Sequence, residues 1–260
     1  MVRIFLEALF LGVLQGLTEW LPISSSGHLV LAQQLLKVTS SLIFDASLHL
    51  GTVVVILIIY RRDIAKIVEC LLKGDLKSED TRLGLLLVVG TIPTMIIGLT
   101  FQRIFEASFY RLEVAALGFI VTGFILYLTK SRKGEKPLSF TDSILIGAAQ
   151  GVAILPGISR SGSTISVGIF RNVKAETAIK YSFLLSVPAI IGATIIETKD
   201  FHIVSLPLIL IGVLSSMIVG YVSCKILIRL IKNQNFHRFA YYCWAVGTIA
   251  LMTALLEIAP

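Results

Sequence analysis

The chain is expected to fold as an all-α integral membrane protein, an inverted-topology repeat with six transmembrane helices plus two re-entrant helix pairs. Three observations predict this. Of the 260 residues, 55% are hydrophobic and only 15% charged, with a mean hydropathy of +0.87, whereas a soluble domain is about a quarter charged. Apolar windows close to the ~20 residues that cross a bilayer recur along the chain, separated by short charged loops. A Ser/Gly-rich motif that breaks a helix also occurs twice, 135 residues apart.

Taken in order, residues 4–21 are apolar but contain Glu7 and run into a polar break, after which 27–36 is again apolar. Both pieces are too short and too interrupted for independent crossings, so they are read as a re-entrant pair. Only Arg3 precedes the stretch and no small-residue cleavage site follows, so it is read as retained rather than as a signal peptide. Strong spans are expected at 43–60, 83–101 and 112–129. A second broken pair, 141–156 and 163–170, precedes strong spans at 177–197, 206–224 and 239–258. Pro93 and Pro188 should kink their spans, with Thr91 and Ser186 nearby to satisfy freed backbone groups. Tyr60, Tyr110 and Tyr241 at span ends read as interface anchors. Cys70, Cys224 and Cys243 show no CxxC spacing and suggest neither disulfides nor structural zinc.

The duplication explains the broken pairs. Shifting the chain by 135 residues lays Ala8–Gly27 over Ser143–Gly162 and matches seven positions: Gly12, Gln15, Gly16, Ile23, Ser24, Ser26 and Gly27 with Gly147, Gln150, Gly151, Ile158, Ser159, Ser161 and Gly162. Most are Gly, Gln or Ser, residues that chance rarely aligns inside apolar segments. The expectation is therefore a single membrane domain, 1–260, built from repeats at about 1–135 and 136–260. Three full crossings per half leave the second half inverted. Placing loop 61–82 in the cytoplasm puts 17 Lys and Arg residues inside and five outside, with Arg160 in the second broken pair. That asymmetry is the one that orients membrane proteins, and it accounts for the net charge of +7 without nucleic acid as a partner. The N-terminus then lies outside, and the two breaks enter from opposite faces to form a binding site between the repeats.

The first break reads Gln15-Gly-Leu-Thr-Glu19-Trp-Leu-Pro22-Ile-Ser24-Ser25-Ser26-Gly27-His28, and the second Pro156-Gly-Ile-Ser159-Arg160-Ser161-Gly162-Ser-Thr164. In each, Pro and Gly interrupt one helix while a Ser/Gly cluster opens the next. A helix start carries free N–H groups and the positive end of a dipole, which favours an anion. Two such starts, with Ser24, Ser26, Gly27, Ser159, Arg160, Ser161, Gly162 and Thr164 as phosphate-binding candidates, would suit a diphosphate. An ionised side chain in a bilayer core costs roughly 2.5–3.5 kcal/mol, so Glu19 and Arg160 are read as functional, with a purely structural ion pair as the alternative. The catalytic candidates are Glu19, Ser25, His28 and Arg160. Ser25 needs a base, and His28 lies one turn away and could itself be the general acid or the nucleophile; activated water is the third option. Arg160 offers a bidentate grip on phosphate oxygens. One guanidinium does not balance a diphosphate, so a divalent cation is expected, with Glu19 as its ligand. Asp45 and His49, spaced i, i+4 at a span end, are read as a helix-internal or interfacial pair, and His202 and His237 as loop residues without a role.

These two motifs resemble those of the undecaprenyl-diphosphate phosphatase, or bacitracin resistance protein, family, and the similarity covers essentially the whole chain. The hallmarks are (Glu/Gln)-Gly-x-x-Glu followed by Pro-x-Ser-Ser-(Ser/Thr)-Gly-His, here Gln15–His28, and Pro-Gly-x-Ser-Arg-Ser-Gly, here Pro156–Gly162. The resemblance implies removal of the terminal phosphate from a C55 polyprenyl diphosphate carrier, recycling of that carrier for peptidoglycan synthesis, and bacitracin resistance. It also implies dependence on Mg²⁺ or Ca²⁺ and a site open to the outer face. Gln15 stands where many relatives have Glu, which weakens any two-carboxylate metal site. The expected partners are the polyprenyl diphosphate lipid and membrane lipids, with a homodimer as a candidate assembly. The rival reading is an inverted-repeat transporter or lipid flippase, which would release no phosphate.

Overall fold

The computed structural model describes residues 2–38, 41–130, 132, 134–197, 205–232 and 235–256. They form α1 (Val2–Glu19), α2 (Ser25–Leu36), α3 (Leu42–Ile59), α4 (Arg61–Leu72), α5 (Glu79–Thr100), α6 (Gln102–Ser108), α7 (Leu112–Tyr127), α8 (Phe140–Val152), α9 (Arg160–Phe170), α10 (Ala175–Glu197), α11 (Leu206–Lys232) and α12 (Phe239–Leu255). No strand occurs among the described residues; one isolated bridge joins Lys136 to Val173. His202 and the end of the expected 239–258 span lie outside them.

Four helices, α3, α5, α10 and the stretch Leu206–Leu230 of α11, are long and apolar enough to cross a membrane. The remaining two expected spans are shorter: α7 has 16 residues and α12 has 17. A fifth crossing results if α6 and α7, bent by 101° at their junction, are taken together. Two helices were not foreseen. The loop expected at 61–82 begins with amphipathic α4, whose Ile67 is buried while Arg61, Arg62 and Lys66 stay exposed; α6 occupies the turn after α5.

Capping explains several of the boundaries. Ser41, Ser78 and Ser139 each accept a backbone N–H in the first turn of α3, α5 and α8, and Ser139 forms a reciprocal capping box with Asp142. Pro93 and Pro188 do lie inside α5 and α10. Thr91 and Ser186, however, bond the carbonyls of Leu87 (2.7 Å) and Phe183 (2.7 Å), not those of Val89 and Leu184 that the prolines leave free.

The packing is governed by glycine. α1 lies along α11, and α8 lies along α5. A Cβ on Gly12 or Gly16 would fall 2.5 Å from a backbone oxygen of α11, Gly212 O or Ser216 O, and one on Gly147 would strike Gly90 O of α5. The backbones approach so closely that only hydrogen fits between them. α7 and α12 pack together, and α3 touches both α10 and α11. The pairs α1–α2 and α8–α9 therefore pack against longer helices on one side, α1 and α8 keep an exposed apolar face on the other, and both breaks are largely buried.

Candidate active site

The two breaks touch directly. Ser24 Oγ donates to Ile158 O (3.4 Å), and Ser161 Oγ donates to Leu21 O (3.1 Å). Gly27 abuts Gly157, where a Cβ would lie 2.8 Å from Gly157 Cα. Gly157 has φ +86°, and a side chain there would also strike Ala115 O. Thr122 of α7 fixes the second break from behind: its hydroxyl donates to Gly157 O (2.9 Å) and accepts from Ser159 N (2.9 Å).

Both helix starts are capped alike. Ser24 Oγ accepts from Gly27 N (3.3 Å), and Ser159 Oγ accepts from Gly162 N (3.0 Å). Those caps use the N–H groups of Gly27 and Gly162. The first-turn N–H groups of Ser25, Ser26, Arg160 and Ser161 are the ones a helix start leaves for an anion. Ser24 holds φ 64°, ψ 97°, a backbone region that only glycine enters without strain.

Glu19 sits at the centre, 4% exposed. One carboxylate oxygen, Oε1, accepts from Arg160 Nη2. The other, Oε2, accepts from Ser25 Oγ (2.5 Å) and Gln15 Nε2 (2.7 Å) and lies 3.0 Å from His49 Nδ1. The Arg160 guanidinium is 5.6 Å from the centroid of the buried Trp20 ring, a cation–π placement. Its second terminal nitrogen, Nη1, is buried without a hydrogen-bond partner among the described residues. An unpaired buried guanidinium nitrogen is costly, so this donor reads as waiting for an acceptor.

A cavity of ≈ 460 Å³ opens from this cluster, lined at its polar end by Glu19, Ser24, Ser25, Ser26, Ser159 and Arg160. These six expected residues are brought together. From there the cavity runs between α5 and α10 past Met95, Leu99, Ile154, Ala193 and Ile196.

Other expected residues lie elsewhere. Gln15 is fully buried behind Glu19, and its Oε1 has no partner among the described residues. Ser161, Gly162 and Thr164 pack into the helix junction, Thr164 Oγ1 sharing a hydrogen bond with Ser182 Oγ (2.6 Å). His28 does not line the cavity. Its Nδ1 donates to Ser24 O (2.7 Å) and its Nε2 accepts from Tyr242 Oη (2.8 Å), with Phe119 edge-on to the ring at 4.9 Å. Both nitrogens are thus committed.

Two cavity residues escaped sequence reasoning. His49 bonds Gln15 Nε2 through Nδ1 (2.7 Å) rather than pairing with Asp45, which accepts instead from Gln33 Nε2 (2.9 Å). Gln150, which aligns with Gln15 at a shift of 135 residues, lines the cavity with its Oε1 unbonded among the described residues. Its match with Gln15 was the only signal that pointed to it.

The family described as bacitracin resistance protein BacA matches residues 8–249. An undecaprenyl-diphosphatase of Korarchaeum cryptofilum is 41% identical over 96% of this chain and 98% of its own length. The undecaprenyl-diphosphatase of Carboxydothermus hydrogenoformans is 42% identical over 95% of this chain and 96% of its own. That of Methanobrevibacter smithii is 39% identical over 97% and 99% respectively.

Proposed function

Because the chain belongs to the bacitracin resistance protein BacA family, we propose that it hydrolyses undecaprenyl diphosphate to undecaprenyl phosphate and inorganic phosphate. The reaction returns the lipid carrier to peptidoglycan synthesis and removes the diphosphate form that bacitracin sequesters. The observation that carries the reading is Ser25 Oγ at 2.5 Å from Glu19 Oε2, beside the unsatisfied Arg160 Nη1. A hydroxyl held against a carboxylate is an activated nucleophile. A protein that only moved lipid would need no such pair, which sets the transporter reading behind.

In the mechanism, the terminal phosphate lies across the two helix starts, with Arg160 Nη1 and the first-turn N–H groups on its oxygens. Ser25 Oγ attacks phosphorus while its proton passes to Glu19 Oε2. The bond from that phosphorus to the bridging oxygen breaks, and undecaprenyl phosphate departs with the electron pair and the proton from Glu19. Water then attacks the phosphoserine, giving a proton to Glu19 that returns to Ser25 Oγ as the P–Oγ bond breaks. His28 serves here as a positioning residue: it ties the strained Ser24 to α12 and so fixes the direction of Ser25. The apolar limb between α5 and α10 accommodates the first isoprene units.

A divalent cation fits this donor set. Among the described residues no three His, Cys, Asp or Glu groups converge. Mg²⁺ and Ca²⁺, however, are commonly held by one carboxylate and the substrate's own phosphates, and Gln15 Oε1 is a buried oxygen without a partner beside Glu19. Glu19 and Gln15 would hold the ion, which would neutralise phosphate charge.

The inverted repeat accounts for the packing. α1 on α11 and α8 on α5 is the exchange expected of two halves related by a two-fold axis, and the matched pair Gly12 and Gly147 makes the equivalent close approach in each. In that arrangement α7 and α12 complete six crossings, loop 61–82 is cytoplasmic, and the site opens outward in a bacterial-type inner membrane.

The test is phosphate release from undecaprenyl diphosphate by purified protein in detergent. Ser25→Ala, Glu19→Gln and Arg160→Ala should each lower kcat/KM by about 10²-fold or more while eluting as monodisperse protein. Chelation of divalent cations should suppress release, and added Mg²⁺ or Ca²⁺ restore it. Turnover by Ser25→Ala at the normal rate would refute the nucleophile assignment.

A further inference from the structure

Arg160 is the only Lys or Arg among the described residues that line the cavity. Part of its charge is already engaged by Glu19. A second side-chain donor on the far side of Glu19 would complement Arg160, and the cavity wall offers one imidazole there. His49 comes from α3, a helix outside both motifs, and its side chain lines the cavity at 23% exposure. Its Nδ1 is occupied on the protein side. Nδ1 lies 2.7 Å from Gln15 Nε2 and 3.0 Å from Glu19 Oε2, and Gln15 Nε2 also donates to Glu19 Oε2 (2.7 Å). With Nδ1 held between them, Nε2 is the ring nitrogen left to meet a ligand, and it has no hydrogen-bond partner among the described residues.

We propose that His49 is a further catalytic residue, whose Nε2–H, fixed by Gln15, donates to the diphosphate from the side of Glu19 opposite Arg160. This rests on the reading of the cavity as the diphosphate site. The fully buried Gln15, between Glu19 and His49, is a positioning residue in this scheme: one amide group holds both His49 Nδ1 and the Glu19 carboxylate. As Glu19 takes the proton from Ser25 it competes less for Arg160, whose guanidinium is then free to follow the charge moving onto the phosphate oxygens beside His49 Nε2.

Two substitutions separate contact with substrate from support of Gln15, because the glutamine amide nitrogen reaches the position of imidazole Nε2 while the asparagine amide reaches only that of Nδ1. With undecaprenyl diphosphate as substrate, His49→Gln should stay within about threefold of the parent in kcat/KM, and His49→Asn should fall about 10²-fold, mainly in kcat, as when one transition-state donor is removed. Isolated His49→Asn protein should elute and melt like the parent. The reverse order would make His49 a support for Gln15 only and overturn the proposal, as would equal loss in both or no loss in either. Ser25→Ala, run alongside, separates the two failures. If it is inactive while both His49 variants are normal, the inference about His49 fails alone; if it is fully active, the reading of the whole cavity fails.

Discussion

At the residue scale, the polar contacts of the cavity converge on one carboxylate with four neighbours, Gln15, Ser25, His49 and Arg160. Glu19 and Arg160 were legible in the sequence because a charge in an apolar run is costly unless paired or used, and each sits inside a helix-breaking motif. His49 was not legible. Its neighbour Asp45, one turn back on the same helix, offered a local partner, and no pattern shows that a residue 34 positions from Gln15 will meet it. His28 was legible as important but not for its role, since its partners are a backbone carbonyl and a tyrosine 214 residues away. The geometry leads to a specific outcome. His28→Asn keeps a donor at the position of Nδ1 for Ser24 O and should retain activity to within about tenfold, whereas His28→Leu should lose about 10²-fold through kcat as Ser25 drifts. Tyr242→Phe should resemble the milder variant. Steady-state kinetics of the three checks this, and a dead His28→Asn alongside a normal Tyr242→Phe would return His28 to acid–base chemistry.

At the scale of elements, the breaks matter as much as the helices. Gly157→Ala would place a methyl group against Ala115 O in a backbone region hostile to side chains. A loss of about 2 kcal/mol or more is expected, read as a lowered melting temperature, with Gly192→Ala, where nothing lies within 4 Å, as the neutral control. The start of α8 gives a prediction in pH. Burial pushes the Asp142 carboxyl up, but hydrogen bonds from Lys136, Ser139 and Arg171 outweigh it and lower its pKa from 3.8 to about 2. A depressed carboxylate pKa stabilises the fold above the ordinary value, and that stability is lost as pH falls toward the folded one. The melting temperature should therefore fall between about pH 4 and pH 2, and Asp142→Asn should melt lower at neutral pH with a flatter profile. The four longest spans were readable because each is a long apolar run. α4 and α6 were missed because hydropathy alone makes a short amphipathic helix look like a charged loop, and α7 and α12 came out shorter than their apolar runs.

At the scale of the whole molecule, composition and the positive-charge asymmetry point to one topology, and it can be read chemically. With Cys70, Cys224 and Cys243 replaced by Ser, a cysteine placed at the exposed Leu76 should react with an impermeant maleimide only after the membrane is opened, and one at the exposed Leu36 without opening. The opposite labelling would invert the chain and move the cavity mouth to the cytoplasm. The self-match at a shift of 135 was visible because its glycines sit where backbones approach closely, whereas the apolar residues between them differ among Leu, Ile, Val and Ala.

The seating of α1 against α11, and of His28 against Tyr242 on α12, has a consequence for how the protein is made. Ser25 is translated among the first residues, yet α11 and α12, on which α1 and His28 rest, leave the ribosome last. A nascent chain halted after α10 would already hold Ser25, Glu19, Arg160 and every residue that lines the cavity, and still lack the helices on which α1 and His28 are seated. Such a fragment should be an inert substrate for membrane proteases rather than a half-competent enzyme, so reactivity toward the lipid pool is withheld until synthesis is nearly finished.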